Sequence, residues 1–204
     1  MDFHGANKPT GEARTWPNEL TREAVKGMES RRLADRATHD ATLPFTRWLA
    51  GPAEYTPLHF GDRRQNTTWA HQTASAAIFS APLLTYAAHP AHILDNPCCA
   101  MIKSISSTWD ETRVLPPSEI GEVAVFARRS GDTWFLAVLN GATARKLAVP
   151  LSFLGEGAYR AELVRDSQED AAAVKTESVT VKRGDSLAIG LLEGGGFIAR
   201  FARK

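Results

Sequence analysis

From Glu122 to the end of the chain one pattern recurs that few folds can accommodate. Val123, Val125 and Ala127, then Trp134, Leu136 and Val138, are apolar residues spaced two apart, alternating with polar or small ones. Successive side chains of a strand point to opposite faces, so this period describes a sheet with a buried face. The pattern is broken at short, regular intervals by "SGD", "NGA", "GEG", "RGD" and "EGGG", all of them turn chemistry, with no helical stretch between them. With "SVTVKR", "SLAIGLL" and "FIARFA" the series reaches about seven strands. Residues 116–204 are therefore expected to form an antiparallel β-sandwich-like domain, or a pair of packed sheets.

Residues 1–115 have a different texture. "LPFTRWLAGP" and "APLLTYAA" read as short buried strands, while "TTWAHQTASAAIF" and "HPAHILDNPCCAMIKSI" read as helices, the first capped by Asn66 or Thr67. Strands alternating with helices predict a parallel βαβ arrangement. Counting "MDFH", only about three strands are present, too few for a parallel sheet covered on both faces. This half is expected to be the end of a larger barrel, which makes the fold class α/β plus all-β.

Composition narrows the function classes. At 204 residues the chain can bury a real core without staples. A formal net charge of +1 gives neither sign enough excess to favour nucleic acid or an anionic membrane surface. No stretch approaches the roughly 20 apolar residues of a membrane span, and no basic segment followed by an apolar run marks an export signal near Met1. Cys98 and Cys99 are neighbours. Their Cα atoms are held about 3.8 Å apart, below the usual disulfide range of roughly 4.4 to 6.8 Å, so free thiols are expected.

Four stretches occur in order: "DFHGANKPTG", "RTWPNELTREAVKGME", "LPFTRWLAGPAEYTP" and "WDETRVLPPSEIGEVAVFARRSGDTWFLAVLNG". Together they resemble the C-terminal third of glycoside hydrolase family 97, the calcium-dependent α-glucosidases and α-galactosidases. The resemblance covers nearly the whole chain. It implies that residues 1–115 are the C-terminal part of a catalytic (β/α)8 TIM barrel and that residues 116–204 are the C-terminal β domain. It also implies an oligosaccharide or α-glycoside substrate, Ca2+ as cofactor, the remaining N-terminal portion of the same enzyme as partner, and a periplasmic or secreted full-length protein.

Site residues follow from the same resemblance. Glu29 matches the family's general acid, Glu23 and Glu29 match calcium ligands, and His4 matches a histidine that hydrogen-bonds a sugar hydroxyl. On geometry alone, carboxylates six residues apart do not converge easily. On a helix they lie about 120° apart around the axis, and on a strand about 20 Å apart along it. Convergence requires an irregular turn, for which Gly27 offers backbone freedom. Gly5 stands where inverting members of the family carry the glutamate that activates water, and a glycine cannot accept a proton. That departure resembles the retaining branch, which includes α-galactosidases and in which an aspartate attacks the anomeric carbon. No aspartate in this chain matches that nucleophile, so the isolated chain is expected to be inactive. An inverting α-glucosidase and a noncatalytic carbohydrate-binding or structural β module are the alternatives.

Other residues have blander readings. His39, His59 and His71 stand alone. His89 and His92, three apart and near Cys98 and Cys99, suggest zinc, but adjacent cysteines lack the spacing of a structural site. Trp16, Trp48 and Trp69 are expected in the core, and Trp109 at the junction between the two halves. Glu54 and Tyr55 in "GPAEYTP" read as a loop at the active face, and no role is assigned to Glu54.

Overall fold

The structure, a computed structural model, describes residues 1–30 and 33–204. Strand β1 (Asp2–Phe3) lies parallel to β2 (Thr21–Arg22), with Phe3 opposite Arg22, and Arg22 in turn makes a parallel bridge to Ala53. Helix α1 (Arg36–Thr42) begins at Asp35, whose carboxylate accepts from the Thr38 amide. Helix α2 (Trp69–Ile78) is capped by Thr68, one residue beyond the expected Thr67, through its hydroxyl and the His71 amide.

Two expected strands are absent. "LPFTRWLAGP" forms 3-10 turns over Leu43–Phe45 and Arg47–Ala50, with Pro44 in the first turn, where its fixed φ suits a helical start and its missing N–H would break a sheet ladder. "APLLTYAA" is irregular: Pro82 interrupts it and Leu83 is left exposed. The expected long helix around residue 97 is split into α3 (Pro90–Leu94) and α4 (Cys99–Ser104). The break falls at Asn96–Pro97, because the residue before a proline is disfavoured in helical conformation.

The rest is antiparallel sheet. Strands β3 (Glu111–Val114), β4 (Val123–Ser130), β5 (Thr133–Asn140), β6 (Arg145–Pro150), β7 (Ala158–Asp166), β8 (Val174–Lys182), β9 (Ser186–Leu191) and β10 (Gly196–Arg203) follow in chain order. Six of them pair in the order β3-β4-β5-β10-β7-β8, while β6 and β9 form a separate two-stranded sheet. The seven strands expected after residue 116 are β4 to β10, and the alternating set falls on one face as predicted. Val123, Val125, Leu136, Val138, Phe197 and Phe201 pack on Val149, Phe153 and Ile189 of the smaller sheet and its flanks.

The opposite face is not solvated. Phe126, Phe135, Ala137, Leu139 and Ile198 share a second core with Met28, Tyr55, Leu58, Ile78, Phe79 and Met101 from the first half. The large sheet is thus a middle layer, with short helices on one side and the two-stranded β6–β9 sheet on the other. No helix among the described residues is long and apolar enough to cross a membrane.

Candidate functional site

Parallel pairing brings three chain segments side by side with their carboxyl ends together. Phe3, Arg22 and Ala53 are the last paired residues, so His4, Glu23 and Glu54 emerge next to one another. The Glu23 amide donates to Phe3 O at 2.9 Å and the Glu54 amide to Arg22 O at 3.2 Å, which fixes the register. In open parallel sheets, ligands bind at the carboxyl ends of strands because loops and unpaired groups converge there. Arg47 clamps the same rim: its guanidinium donates to the carbonyls of Arg22, Glu23, Ala24, Gly51 and Pro52 at 2.9 to 3.2 Å. Burial holds the Arg47 pKa below its ordinary value. Nothing in the sequence marks Arg47, because its partners are main-chain oxygens, some on the turn just after it and the rest in a segment more than 20 residues earlier.

Glu29 reaches the cluster through an irregular run after β2. Ala24 takes φ 40°, and a hydrogen-bonded turn then begins at Gly27, where expected, with the Ser30 amide donating to Gly27 O at 3.1 Å. Gly27 is also required for close backbone approach, since a Cβ there would meet Tyr55 O at 2.2 Å. The Met28 amide then donates to Tyr55 O at 3.0 Å, and Met28 is fully buried, which anchors the segment just before Glu29.

The three residues marked by the resemblance come together. His4 Nε2 lies 3.6 Å from Glu23 Oε1 and 3.1 Å from Glu29 Oε2. Among the described residues these form the one group of three or more His, Cys, Asp or Glu donors gathered within 4.8 Å of one another. The other ring nitrogen, Nδ1, is 3.3 Å from Glu54 Oε2. Burial pulls the His4 pKa down, but Glu23, the Glu54 hydrogen bond and Glu29 outweigh it and leave the ring easier to protonate than an ordinary histidine. Glu54 is 4% exposed, and burial, reinforced by the charge of Asp2, raises its carboxyl pKa. Its Oε1 and Asp2 Oδ1 are buried without a hydrogen-bond partner. The Glu23 carboxylate accepts from the Gly5 amide at 2.6 Å, and Gly5 itself has φ 64°, a conformation that favours glycine.

The remaining candidates lie elsewhere. Fully buried His71 contacts Asp40 and Gly195 O; His39 lies 3.1 Å from Lys26 O; His59 accepts from the Gly61 amide. His89 caps α3, and its ring is 5.7 Å from that of His92. Cys98 is a buried free thiol, its pKa pushed up to about 11 by burial. Trp48 stacks on Phe79, Trp69 meets Phe60 edge-on, and Trp109 meets Phe135 edge-on across the two halves. Trp16, expected in the core, is 63% exposed.

Residues 108–202 match the family described as "Glycosyl-hydrolase 97 C-terminal, oligomerisation". The chain is 33% identical over 218 aligned positions to a retaining alpha-galactosidase of Bacteroides thetaiotaomicron, which covers 97% of this chain and 33% of that protein. A probable retaining alpha-galactosidase of Streptomyces bingchenggensis is also 33% identical, over 98% of this chain and 31% of its own length. Among solved structures, a glycoside hydrolase family 97 enzyme of Pseudoalteromonas sp. strain K8 in complex with acarbose superimposes with TM-score 0.89 at 28% identity, covering 98% of this chain and 34% of the other. The chain therefore spans about a third of the length of these relatives. With its sequence, its antiparallel C-terminal half and its first segments all aligned to the same proteins, this chain corresponds to the C-terminal portion of glycoside hydrolase family 97.

Proposed function

We propose that the chain supplies part of the active site of a calcium-dependent, retaining α-glycoside hydrolase with α-galactosidase-like specificity. In this reading residues 1–115 complete a (β/α)8 barrel and residues 116–204 form its C-terminal β domain. The observation that carries it is the meeting of Glu23, Glu29 and His4 at the carboxyl ends of parallel-paired segments. The names of the two relatives given above favour the α-galactosidase branch, and structures of the Pseudoalteromonas enzyme with panose and acarbose favour a carbohydrate substrate.

The residues fit calcium. Glu23 and Glu29 offer carboxylate oxygens on a common centre, the donors a hard cation prefers, and Glu29 is half exposed and so open to further ligands. Bound there, calcium would supply positive charge beside the sugar. Glu29 would deliver a proton to the departing glycosidic oxygen and then withdraw one from the incoming water. His4 would address a sugar hydroxyl from Nε2, its ring held from the other side by Glu54. Gly5 offers no carboxylate to activate water on the opposite face, so the aspartate nucleophile of a retaining mechanism would come from outside these 204 residues.

The test is the stereochemistry of turnover. With the N-terminal portion supplied, NMR of the first sugar released from 4-nitrophenyl α-galactoside should show the α anomer. A β-configured first product would place the protein in the inverting branch.

A further inference from the structure

A chain of buried polar groups runs from the Glu29 segment to the far end of the large sheet. Arg36, at the start of α1, donates from Nη2 to Ser30 O at 2.8 Å, and both of its terminal nitrogens lie 3.4 Å from Gly27 O. Its Nη1 donates to the Tyr55 hydroxyl at 2.8 Å, and that hydroxyl donates to Asp40 Oδ1 at 2.5 Å. Asp40 Oδ2 is 3.2 Å from His71 Nε2, and His71 Nδ1 is 3.0 Å from Gly195 O in the turn between β9 and β10. Arg36, Asp40 and His71 are 0% exposed and Tyr55 is 1% exposed.

The far end of this chain has no slack. A Cβ on Gly196 would meet His71 Cα at 2.3 Å, and one on Gly194 would meet Asn66 O at 1.8 Å, so the turn touches the start of α2 backbone to backbone. A second tie holds the same two elements: Thr68 donates to Asp166 Oδ1 at 2.6 Å, and Asp166 accepts from the amides of Leu192 and Gly196. The near end grips carbonyls on both sides of Glu29.

From this geometry we infer that Arg36, Tyr55, Asp40 and His71 act together as positioning residues for Glu29, so that the glycine turn of the β domain helps to set where that carboxylate points. None of the four touches Glu29; they act through the Gly27 and Ser30 carbonyls. The catalytic meaning rests on the acid role proposed for Glu29, but the mechanical link does not.

The test therefore reads the link without using activity. Tyr55→Phe removes one hydroxyl while keeping the ring packed against Trp48 and Phe79. His71→Gln changes the network at the end remote from Glu29. In the chain labelled with 13C and 15N, both variants should move the Glu29 side-chain carboxyl resonance and raise amide exchange at Met28 and Ser30 at least tenfold, with Leu136 and Val138 still protected. Unchanged Glu29 and Ser30 signals in a folded Tyr55→Phe protein would overturn the link. If His71→Gln fails to fold, the Tyr55→Phe result decides alone. A calcium titration of the same resonance separates the two ideas: no calcium response alongside an intact Tyr55→Phe effect would remove the metal reading and leave the positioning role standing.

Discussion

Replacing Gly196 by alanine adds one methyl group where the structure has no room for it. The new carbon would lie 2.3 Å from His71 Cα, 2.4 Å from His71 N and 2.8 Å from the Ala70 carbonyl carbon. All three are backbone atoms of α2, so no side chain can rotate away, and the turn must withdraw by more than an ångström. Overpacking of this kind costs about 1–3 kcal/mol. The shift also weakens the Gly196 amide's bonds to Asp166 and the contact of His71 with Gly195 O, each worth about 1 kcal/mol. Together these give a loss of about 3–5 kcal/mol. For a domain of this size, that lowers Tm by roughly 6 to 20 °C. Differential scanning calorimetry measures the shift, with Gly184→Ala as control, since a Cβ at Gly184 meets nothing within 4 Å. Equal melting temperatures for the two variants would refute the claim that backbone contact at Gly196 joins the halves.

Arg128 is buried between Trp109 and Phe126 with Nε and Nη1 unpartnered, and burial lowers its pKa to about 10. Arg128→Met should therefore stabilise the chain by about 1 kcal/mol in urea unfolding, because the lost cation–π contacts offset only part of the desolvation cost. Burial raises the Asp166 pKa, so the folded state holds that proton more tightly than the unfolded chain. Its contribution to stability should fall as pH rises from about 4 through the raised value and then level off, and unfolding of Asp166→Asn across this range should lack that slope. In the polypeptide completed by its N-terminal portion, Glu29→Gln should slow glycosides with poor leaving groups by about 10²- to 10⁴-fold and activated aryl glycosides much less, as read from kcat/KM. Exposed Met1, Phe3, Trp16 and Leu20 around the β1–β2 pair should make the isolated chain self-associate, which light scattering against concentration would detect.

The β half was legible because alternation and glycine turns are local signals. Val123, Val125, Leu136 and Val138 fall on the face their spacing assigned. What alternation could not report is that Phe126, Phe135 and Leu139, on the other face, are also buried, since their cover comes from residues far away in sequence such as Phe79 and Met101. The segments around Pro44 and Pro82 have the apolar content of strands, but the missing proline amide keeps them out of a ladder. The His4, Glu23 and Glu29 group was marked by resemblance, and spacing alone argued against its convergence. Convergence uses the turn at Gly27, which the sequence did mark, together with a positive φ at Ala24, which has no sequence signature. Arg36, Arg47, Asp40 and His71 were invisible for a different reason: each depends on at least one partner 19 to 124 residues away.

The strand order also constrains the sequence in which this chain can be assembled. β10 comes last among the described strands, yet it lies between β5 and β7, inside the large sheet rather than at its edge. During synthesis β4 and β5 can pair early as a hairpin, and so can β7 and β8, but the two hairpins have no common seam until β10 leaves the ribosome. The first half must wait as well, since His71 reaches an acceptor 124 residues downstream. Until then the apolar faces of both hairpins stand open, a window in which chaperone capture or misassembly competes with folding. Docking of β10 acts as the closing step for the large sheet. Loss of β10 would therefore split the sheet through its middle instead of trimming its margin.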